Sequence, residues 1–233
     1  MKVAIMQPYF LPYVGYFQLI REVDVFVLYD NIKYTKKGWI NRNRYLLNGQ
    51  DKPFALPLKK GSDYLEVRER TLTDDFDPEK LLNGIEAAYR KAPYFRSAMP
   101  VIQGVFRHEE RNLFAYIRHA LTRMCDYLGI DTPILPSSQI PADHSLVGEQ
   151  RVMAICKTLG AQTYINPPGG RALYRTENFS RNGLHLKFID PVLEPYPQLG
   201  STFVPGLSVI DLIMNNDSEG IDNLLSKYFL SDS

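Results

Sequence analysis

The sequence predicts an α/β protein with a Rossmann-like three-layer domain, in which a mostly parallel sheet carries a β-hairpin and a helical insertion near residues 75–128. The first reason is a strand, helix, strand pattern over Lys2–Met6, Tyr13–Val23 and Asp24–Tyr29, which is a βαβ unit and favours parallel strands. The second is a renewed alternation of strand and helix patterns after residue 132. Because no repeat, low-complexity tract or long linker divides the chain, we expect a single domain over residues 1–233.

Apolar spacing justifies the first elements. Lys2–Met6 is an apolar run closed by a Gln-Pro pair, which is typical of a short buried strand. In the following helix Val14, Phe17 and Ile20 recur at helical spacing. Further on, Asn48-Gly49 separates two strand-like halves of Asn43–Leu58 and supplies positive φ at low cost, so this segment predicts a β-hairpin.

Helix start and stop signals organise the predicted insertion. Asp77 and Pro78 begin a helix that runs through Tyr89. The apolar side chains of Asn112–Leu128 share one helical face, and Gly129 follows where a C-terminal glycine is expected.

The second half of the chain continues the alternation. Strands are predicted at Pro133–Pro136, Thr163–Ile165 and Leu184–Ile189. Helices are predicted at Glu149–Leu159, Arg171–Ser180, Ser208–Met214 and Ser218–Phe229. The pattern does not predict the order of the strands in the sheet.

The composition is that of an ordinary globular protein, with 45% hydrophobic and 23% charged residues. Lys+Arg 27 against Asp+Glu 26 gives a net charge of +1, so we expect neither nucleic-acid binding nor membrane insertion. The N-terminus lacks the pattern of a signal peptide, and Cys125 and Cys156 lie in apolar helical segments. We therefore expect a cytoplasmic protein with buried free thiols.

Ligands of open parallel sheets bind beyond the carboxyl ends of the strands, so the segments that follow strands are the candidate sites. After the first strand, Gln7, Tyr9 and Gly15 belong to a proline-stiffened aromatic loop that leads into a helix. The free N–H groups of that first helical turn favour an anion. The competing interpretation is an aromatic plug that packs the helix on the sheet.

The segment after the second strand is the densest cationic stretch of this nearly neutral chain. Side chains suited to stacking and hydrogen bonding interleave with its charges, which favours ligand binding over a solvated surface. The candidate ligand-binding residues here are Lys37, Trp39, Asn41, Arg42, Asn43 and Arg44.

Two later turns are also candidates. Gly169 and Gly170, followed by Arg171, form a turn that could cradle a phosphate or carboxylate or could simply require positive φ. Gln198 and Ser208 follow the last predicted strand, with Ser208 also placed as a helix N-cap. One turn into that helix, Asp211 could orient a site group or satisfy the first turn.

Asp30 and His144 are the candidate catalytic bases, because each follows a predicted strand. The remaining histidines are scattered without metal-ligand spacing, so we expect no metal site. No Gly-x-Ser-x-Gly motif is present, which disfavours a covalent acyl-enzyme.

The chain resembles the WbqC-like family of bacterial polysaccharide (O-antigen) biosynthesis proteins. The motifs that carry the resemblance are the opening Met6–Ile20 and the block Trp39–Asn43. Later blocks are Arg151 with Cys156–Gly160, Gly169–Arg171 with Tyr174, and Leu207–Leu212. The resemblance covers nearly the whole chain and adds Arg151 to the candidate binding residues.

The resemblance implies a transferase that joins an amino acid or acyl group, with glycine favoured, to the amine of a nucleotide-linked deoxyaminosugar. The expected partners are that sugar nucleotide and a small donor, free or delivered by a carrier protein, and a homodimer is left open. Two alternatives are an adenylate-forming nucleotidyltransferase or ligase, and a non-catalytic sugar-nucleotide-binding partner. ATP with Mg²⁺ is implied only where the donor is activated in this site. The opening block is also similar to that of adenylate-forming nucleotidyltransferases, in which a similar loop and helix bind ATP. Gly15-Tyr16 stands where that resemblance implies Gly-His.

Overall fold

The computed structural model describes residues 1–232. Six strands form one sheet in the order β5-β2-β1-β6-β7-β8, and β3 pairs with β4 in a separate hairpin. The strands are Lys2–Met6 (β1), Val25–Leu28 (β2), Arg42–Leu47 (β3), Gln50–Ala55 (β4), Ile134–Pro136 (β5), Thr163–Asn166 (β6), His185–Pro191 (β7) and Tyr228–Asp232 (β8). The helices are Val14–Glu22 (α1), Pro78–Tyr89 (α2), Phe95–Phe106 (α3), Leu113–Leu128 (α4), Gly148–Thr158 (α5), Thr176–Arg181 (α6), Val209–Asn215 (α7) and Ser218–Leu225 (α8).

The sheet is parallel except at one edge. β1 pairs in parallel with β2 and with β6, and the neighbouring pairs β2–β5 and β6–β7 are parallel as well. β8 runs antiparallel to β7. The structure therefore confirms the predicted α/β class, the mostly parallel sheet and the β-hairpin.

Alternate residues of the central strand enter two different cores. Ala4 packs in the larger core together with Phe26 and the apolar faces of α1, α4 and α8. Val3 and Ile5 pack in a second core with side chains of α5 and α6. Because neighbouring side chains of a strand point to opposite faces, helices cover both sides of the sheet. This arrangement is the predicted three-layer architecture.

Between β4 and β5 the chain forms three helices, which lie in the region of the predicted insertion. The predicted cap is confirmed, because the Asp77 side chain accepts from the Glu79 N–H. At the start of α4 the Asn112 side chain accepts from the Ala115 N–H in the same way. Gly129 ends α4 with a φ of 67°. α3 was not predicted as a separate helix, because its interior Pro100 lacks the donor that a regular helix uses.

Both cysteines are buried free thiols, as predicted. Burial raises the pKa of the Cys125 thiol and of the Cys156 thiol to about 12. Both side chains are therefore protonated at neutral pH and unreactive. Among the described residues, no helix has the length and apolar character that a membrane crossing needs.

The helix predicted over Arg171–Ser180 is wrong in its first half. The structure has a 3₁₀ segment over Pro168–Leu173, and α6 begins only after Tyr174. Tyr174 is extended, and its ring packs edge-on against Tyr164, with the ring centroids 5.5 Å apart. Burying this ring requires a break in the helix, which the apolar spacing did not reveal.

The helix predicted over Ser218–Phe229 also ends early. α8 stops at Leu225, and Tyr228–Asp232 forms β8 against β7. Aromatic and apolar residues at positions 228–230 favour a strand, and pairing with β7 satisfies their backbone groups. Tertiary pairing therefore overrides the helical pattern at this end.

Phe10 is fully buried where the loop after β1 meets the insertion, with its ring centroid 5.5 Å from that of Phe106 and 5.7 Å from that of Tyr116. We expect Phe10→Ala to lower the free energy of unfolding by about 4 kcal/mol, because it removes a large ring and leaves a cavity. Urea denaturation followed by circular dichroism measures the change. Phe229→Ala is the control, since Phe229 is 70% exposed, and its effect should stay below about 0.5 kcal/mol.

Candidate functional site

A cleft of about 690 Å³ opens at the carboxyl ends of β1 and β6. The sheet order explains its position: β2 and β5 lie on one side of β1, and β6, β7 and β8 lie on the other, so the segments that leave β1 and β6 diverge. We call it the central cleft. Its wall contains Ile5, Met6, Gln7, Tyr9, Tyr13, Gly15, Tyr16, Tyr29, Ile32, Lys33, residues 166–170, Leu173 and Tyr174. Openings of this size and position bind ligands in many α/β proteins.

Phenols and amides dominate the polar part of this wall. Burial raises the pKa of Tyr9, Tyr13 and Tyr29, so all three hydroxyls are neutral donors at physiological pH. Within residues 1–232 the Gln7 side chain makes no hydrogen bond, so its amide is free for a ligand. Lys33 carries the cleft's one charge among the described residues. Such a surface suits a polar, largely uncharged group such as a sugar ring.

Gly15 allows the Tyr13 ring to lie against the start of α1. A Cβ at Gly15 would stand only 2.5 Å from a Tyr13 ring atom. Tyr13 lines the central cleft, so this close approach sets the position of one cleft wall.

A smaller apolar pocket of about 210 Å³ adjoins the central cleft. We call it the aromatic pocket, and its wall is formed by Tyr9, Pro12, Tyr13, Trp39, Asn43 and Gly206. Tyr9 and Tyr13 belong to both walls. Trp39 is 47% exposed, so a face of its ring is available for stacking. The aromatic loop after β1 and the tryptophan segment therefore share one surface.

The carbonyl of Leu11 ties three segments together. It accepts from Asn43 Nδ2 at 2.7 Å and from Ser208 Oγ at 2.7 Å. Asn43 also donates to the Phe10 carbonyl, and the Phe10 N–H donates to the Ile40 carbonyl at 3.0 Å. Leu11 itself has a φ of 44°, a conformation that non-glycine residues adopt only when their surroundings hold them. Asn43 and Ser208, predicted to bind substrate, thus hold the loop, although Asn43 also borders the aromatic pocket.

The basic side chains of the tryptophan segment do not line the central cleft. Arg42 Nε donates to the Gly38 carbonyl at 2.8 Å, and its guanidinium lies 5.6 Å from the Trp39 ring centroid. Arg44 pairs with Asp51 across the hairpin at 2.9 Å. Lys37 is exposed and lines neither the cleft nor the aromatic pocket. The ligand-binding role predicted for these three side chains does not fit this arrangement.

Asn41 supports the tryptophan segment from behind. Its Oδ1 accepts from the Tyr34 hydroxyl, and its Nδ2 donates to the Leu56 carbonyl, each at 2.8 Å. With each end of its amide in a hydrogen bond, Asn41 joins its segment to the residue that follows β4.

Asp211 is a buried carboxylate surrounded by donors. Tyr89 and Tyr196 hydroxyls each donate to it at 2.8 Å, and Gln198 Nε2 donates at 2.7 Å. Burial raises the pKa of Asp211, and these hydrogen bonds counter part of that effect. The predicted site residues Asp211 and Gln198 therefore join α2, α7 and the segment before α7, and neither borders the central cleft.

Asp30 and His144 are both engaged. The Asp30 carboxylate is 3% exposed and accepts from Ser137 Oγ at 2.8 Å and from the Ser138 N–H at 2.9 Å. His144 Nε2 lies 2.9 Å from the Ile140 carbonyl, so the hydrogen-bond network assigns its proton there. Neither residue borders the central cleft. Their predicted role as bases does not fit this placement.

His144 Nδ1 accepts from Arg151 Nη2 at 3.2 Å. Arg151 lines a further cavity beside the central cleft. The histidine therefore orients the arginine.

The turn after β6 supplies the opposite wall of the central cleft. Gly169 and Gly170 line it, and a Cβ at Gly170 would lie 2.2 Å from Asn166 Nδ2. A side chain at this position would displace the Asn166 amide from its place. Arg171 pairs with Asp190 at 2.7 Å and packs over the Phe188 ring, so it belongs to the β7–β8 surface.

Sequence reasoning missed several cleft residues. Tyr29 and Asn166 end or follow strands whose carboxyl ends face the cleft, and Lys33 comes shortly after β2. The preference of ligands for the carboxyl ends of parallel strands predicts these positions. The dense positive charge after residue 35 instead favoured the later part of the loop. Tyr174 reaches the cleft because the helix predicted there is broken.

The donor set of the site does not favour a metal ion. Among residues 1–232, no group of three or more His, Cys, Asp or Glu side chains could hold a metal ion. The wall of the central cleft contains no carboxylate, so its residues do not fit a Mg²⁺ site.

Fold and site together define an α/β protein with a ligand cleft where the strand order of a Rossmann-like sheet reverses. The WbqC-like protein family model matches residues 7–223, and the chain belongs to that family. An uncharacterized protein of Mycobacterium tuberculosis, Rv1507c, is 31% identical over 229 residues, covering 96% of this chain and 97% of the relative. No solved structure matches the chain. Membership in this family suggests a biosynthetic enzyme.

We expect Asp211→Ala to lower the free energy of unfolding by about 3 kcal/mol, because it leaves the buried Tyr89 and Tyr196 hydroxyls without their acceptor. Urea denaturation provides the measurement. Asp131→Ala, at an exposed position, is the matched control and should change stability by less than about 0.5 kcal/mol. Equal effects of the two substitutions would contradict a supporting role for Asp211.

Proposed function

We propose that this protein is a transferase that forms an amide between an amino acid or acyl group, with glycine favoured, and the amine of a nucleotide-linked deoxyaminosugar in O-antigen biosynthesis. The single observation that carries the proposal is the pairing of the central cleft with the aromatic pocket through Tyr9 and Tyr13. Phenols and a free amide suit sugar hydroxyls, and an exposed indole suits a nucleobase. Family membership supports a biosynthetic role.

In this proposal the sugar occupies the central cleft and the nucleobase stacks on Trp39. Gln7 would hydrogen-bond the sugar or the acyl group, and the backbone at Gly169 and Gly170 would approach it closely because no side chain intervenes. The buried phenols of Tyr9 and Tyr13 are donors that could serve a developing oxyanion. The neutral amine attacks the acyl carbon of an activated donor, and the bond from that carbon to the donor's thiolate or phosphate breaks. The departing group takes the proton that the amine loses as the amide forms.

Whether the reaction needs ATP depends on where the acyl donor is activated. A donor activated in this site would require ATP with Mg²⁺, whereas a thioester from a carrier protein would require neither. The wall of the central cleft lacks carboxylates for Mg²⁺, so the proposed reaction uses a donor that is already activated when it binds.

The test is mass spectrometry of a dTDP-linked amino-dideoxyglucose incubated with the protein and either a glycyl thioester or glycine with ATP. A mass gain of one glycyl unit supports the proposal. Gln7→Leu should reduce the yield about tenfold, since it keeps the size of the side chain and removes its hydrogen bonds. No gain with glycine, ATP or thioester donors would refute transfer.

One observation favours the non-catalytic alternative. Asp30 and His144, the candidate bases, are both held in hydrogen bonds away from the cleft. A protein that binds the sugar nucleotide tightly and never changes its mass would be a binding partner of a larger assembly. Calorimetric titration alongside the mass measurement separates these two outcomes.

We expect Gly15→Ala to weaken sugar-nucleotide binding at least fivefold without lowering the melting temperature. The added methyl displaces the Tyr13 ring from the cleft wall, while alanine favours the helix by about 1 kcal/mol over glycine. Calorimetry and thermal unfolding measure the two effects. Gly104→Ala is the control, because a Cβ added at Gly104 would have no other atom within 4 Å; it should leave binding unchanged.

A further inference from the structure

A second cavity of about 400 Å³ lies beside the central cleft, between the carboxyl end of β2 and the first turn of α5. We call it the lateral cavity. Tyr29, Ile32, Lys33, Leu173 and Tyr174 belong to its wall and to that of the central cleft. A ligand in the cleft can therefore extend into the lateral cavity.

Arg151 brings a positive charge to this cavity without a carboxylate partner. Its Nη1 donates to the Asn31 carbonyl and its Nη2 to His144 Nδ1, each at 3.2 Å, and its guanidinium lies 5.2 Å from the Tyr29 ring centroid. Its buried Nε has no hydrogen-bond partner among the described residues. These contacts fix the plane of the guanidinium and leave its charge uncompensated.

Lys33 adds a second cation on the shared wall. Its ammonium lies 4.8 Å from the Tyr64 ring centroid and, within residues 1–232, forms no ion pair. The carboxylate in the wall, Glu149, accepts from the Arg175 N–H and from Asn178 Nδ2 at the start of α6. These neutral donors turn the carboxylate toward α6 and leave its charge in place, so Arg151, Lys33 and Glu149 together give the wall a net charge of +1.

The start of α5 adds free N–H groups to this wall, and its first turn also carries Glu149. Val147, the N-cap residue, supplies no side-chain acceptor to the first-turn N–H groups, and Gly148 enters the helix with a φ of 55°. These N–H groups and the two cations favour the same kind of ligand, an anion. Val147 and Leu173 are 76% and 68% exposed at the rim, which leaves the cavity accessible.

We propose that the lateral cavity is a phosphoryl-binding subsite, in which Arg151 and Lys33 hold the phosphate groups of a substrate whose remainder lies in the central cleft. The inference rests on the proposed function for the identity of that substrate. The phosphoryl group belongs to a phosphate-activated donor. The diphosphate of a nucleotide-linked sugar joins its nucleoside to its sugar, so with the base on Trp39 and the sugar in the central cleft it would not reach the lateral cavity on the far side. Arg44 pairs with Asp51, and Arg42 lines neither the central cleft nor the aromatic pocket, so this subsite replaces them as the place where positive charge borders the ligand surface.

Isothermal titration calorimetry tests the subsite at low ionic strength, with pyrophosphate, dTDP and AMP as separate probes. We expect Arg151→Met to weaken pyrophosphate binding about tenfold, and Lys33→Met to weaken it about threefold to tenfold. Arg107→Met is the matched control and should change affinity less than twofold, because Arg107 pairs with Glu79 on the insertion. Thermal unfolding checks that each variant is folded. If Arg151→Met does not fold, Lys33→Met decides the test, because Lys33 lies at an exposed position.

The probes identify the source of the phosphate. A loss of AMP binding in the variants supports a phosphate-activated donor in the subsite, whereas a loss confined to dTDP would contradict that assignment. Wild-type protein that binds none of the probes, or folded variants that bind like the wild type, would overturn the subsite. Anion binding that depends on Arg151, without any glycyl transfer, would leave the subsite standing and refute only the proposed function.

Discussion

The site depends on one backbone group, the carbonyl of Leu11. Leu11 is fully buried with a positive φ, which costs a non-glycine residue about 1–2 kcal/mol. Asn43 from β3 and Ser208 from the start of α7 both donate to its carbonyl, so three segments distant in sequence maintain the strained conformation. The consequence is that Tyr9 and Tyr13, on either side of Leu11, keep fixed positions in the wall between the central cleft and the aromatic pocket.

Local pattern predicted the elements well where packing followed local preference. The Asn-Gly hairpin, the Asp77 cap and the Gly129 terminus all rest on short-range chemistry, and the structure confirms them. The pattern failed where distant contacts decided the conformation. β8 exists because β7 offers an unpaired edge, and the helix after Gly170 breaks because the Tyr174 ring packs on Tyr164. Neither partner could be inferred from the neighbouring sequence.

The binding residues were harder to predict than the elements, for a different reason. The sequence indicated both the aromatic loop and the tryptophan segment, and the structure places them side by side. Composition cannot show whether a polar side chain faces a ligand or a backbone carbonyl. Asn41 and Arg42 bind backbone carbonyls, whereas Gln7 makes no hydrogen bond within residues 1–232. A ligand site needs unsatisfied polar groups, and only the folded chain shows which groups those are.

The same criterion explains why some arginines are available to bind a ligand phosphate and others are not. Arg44 and Arg171 are each matched by a carboxylate, so a ligand phosphate would have to displace an existing ion pair. Arg151 has no such competitor, and His144 and Asn31 hold it by neutral groups that preserve its charge. In a chain with a net charge of +1, attraction for an anion must come from such local imbalance. The imbalance lies beside a neutral, phenol-lined cleft, which is the distribution that a ligand with a charged end and an uncharged end requires.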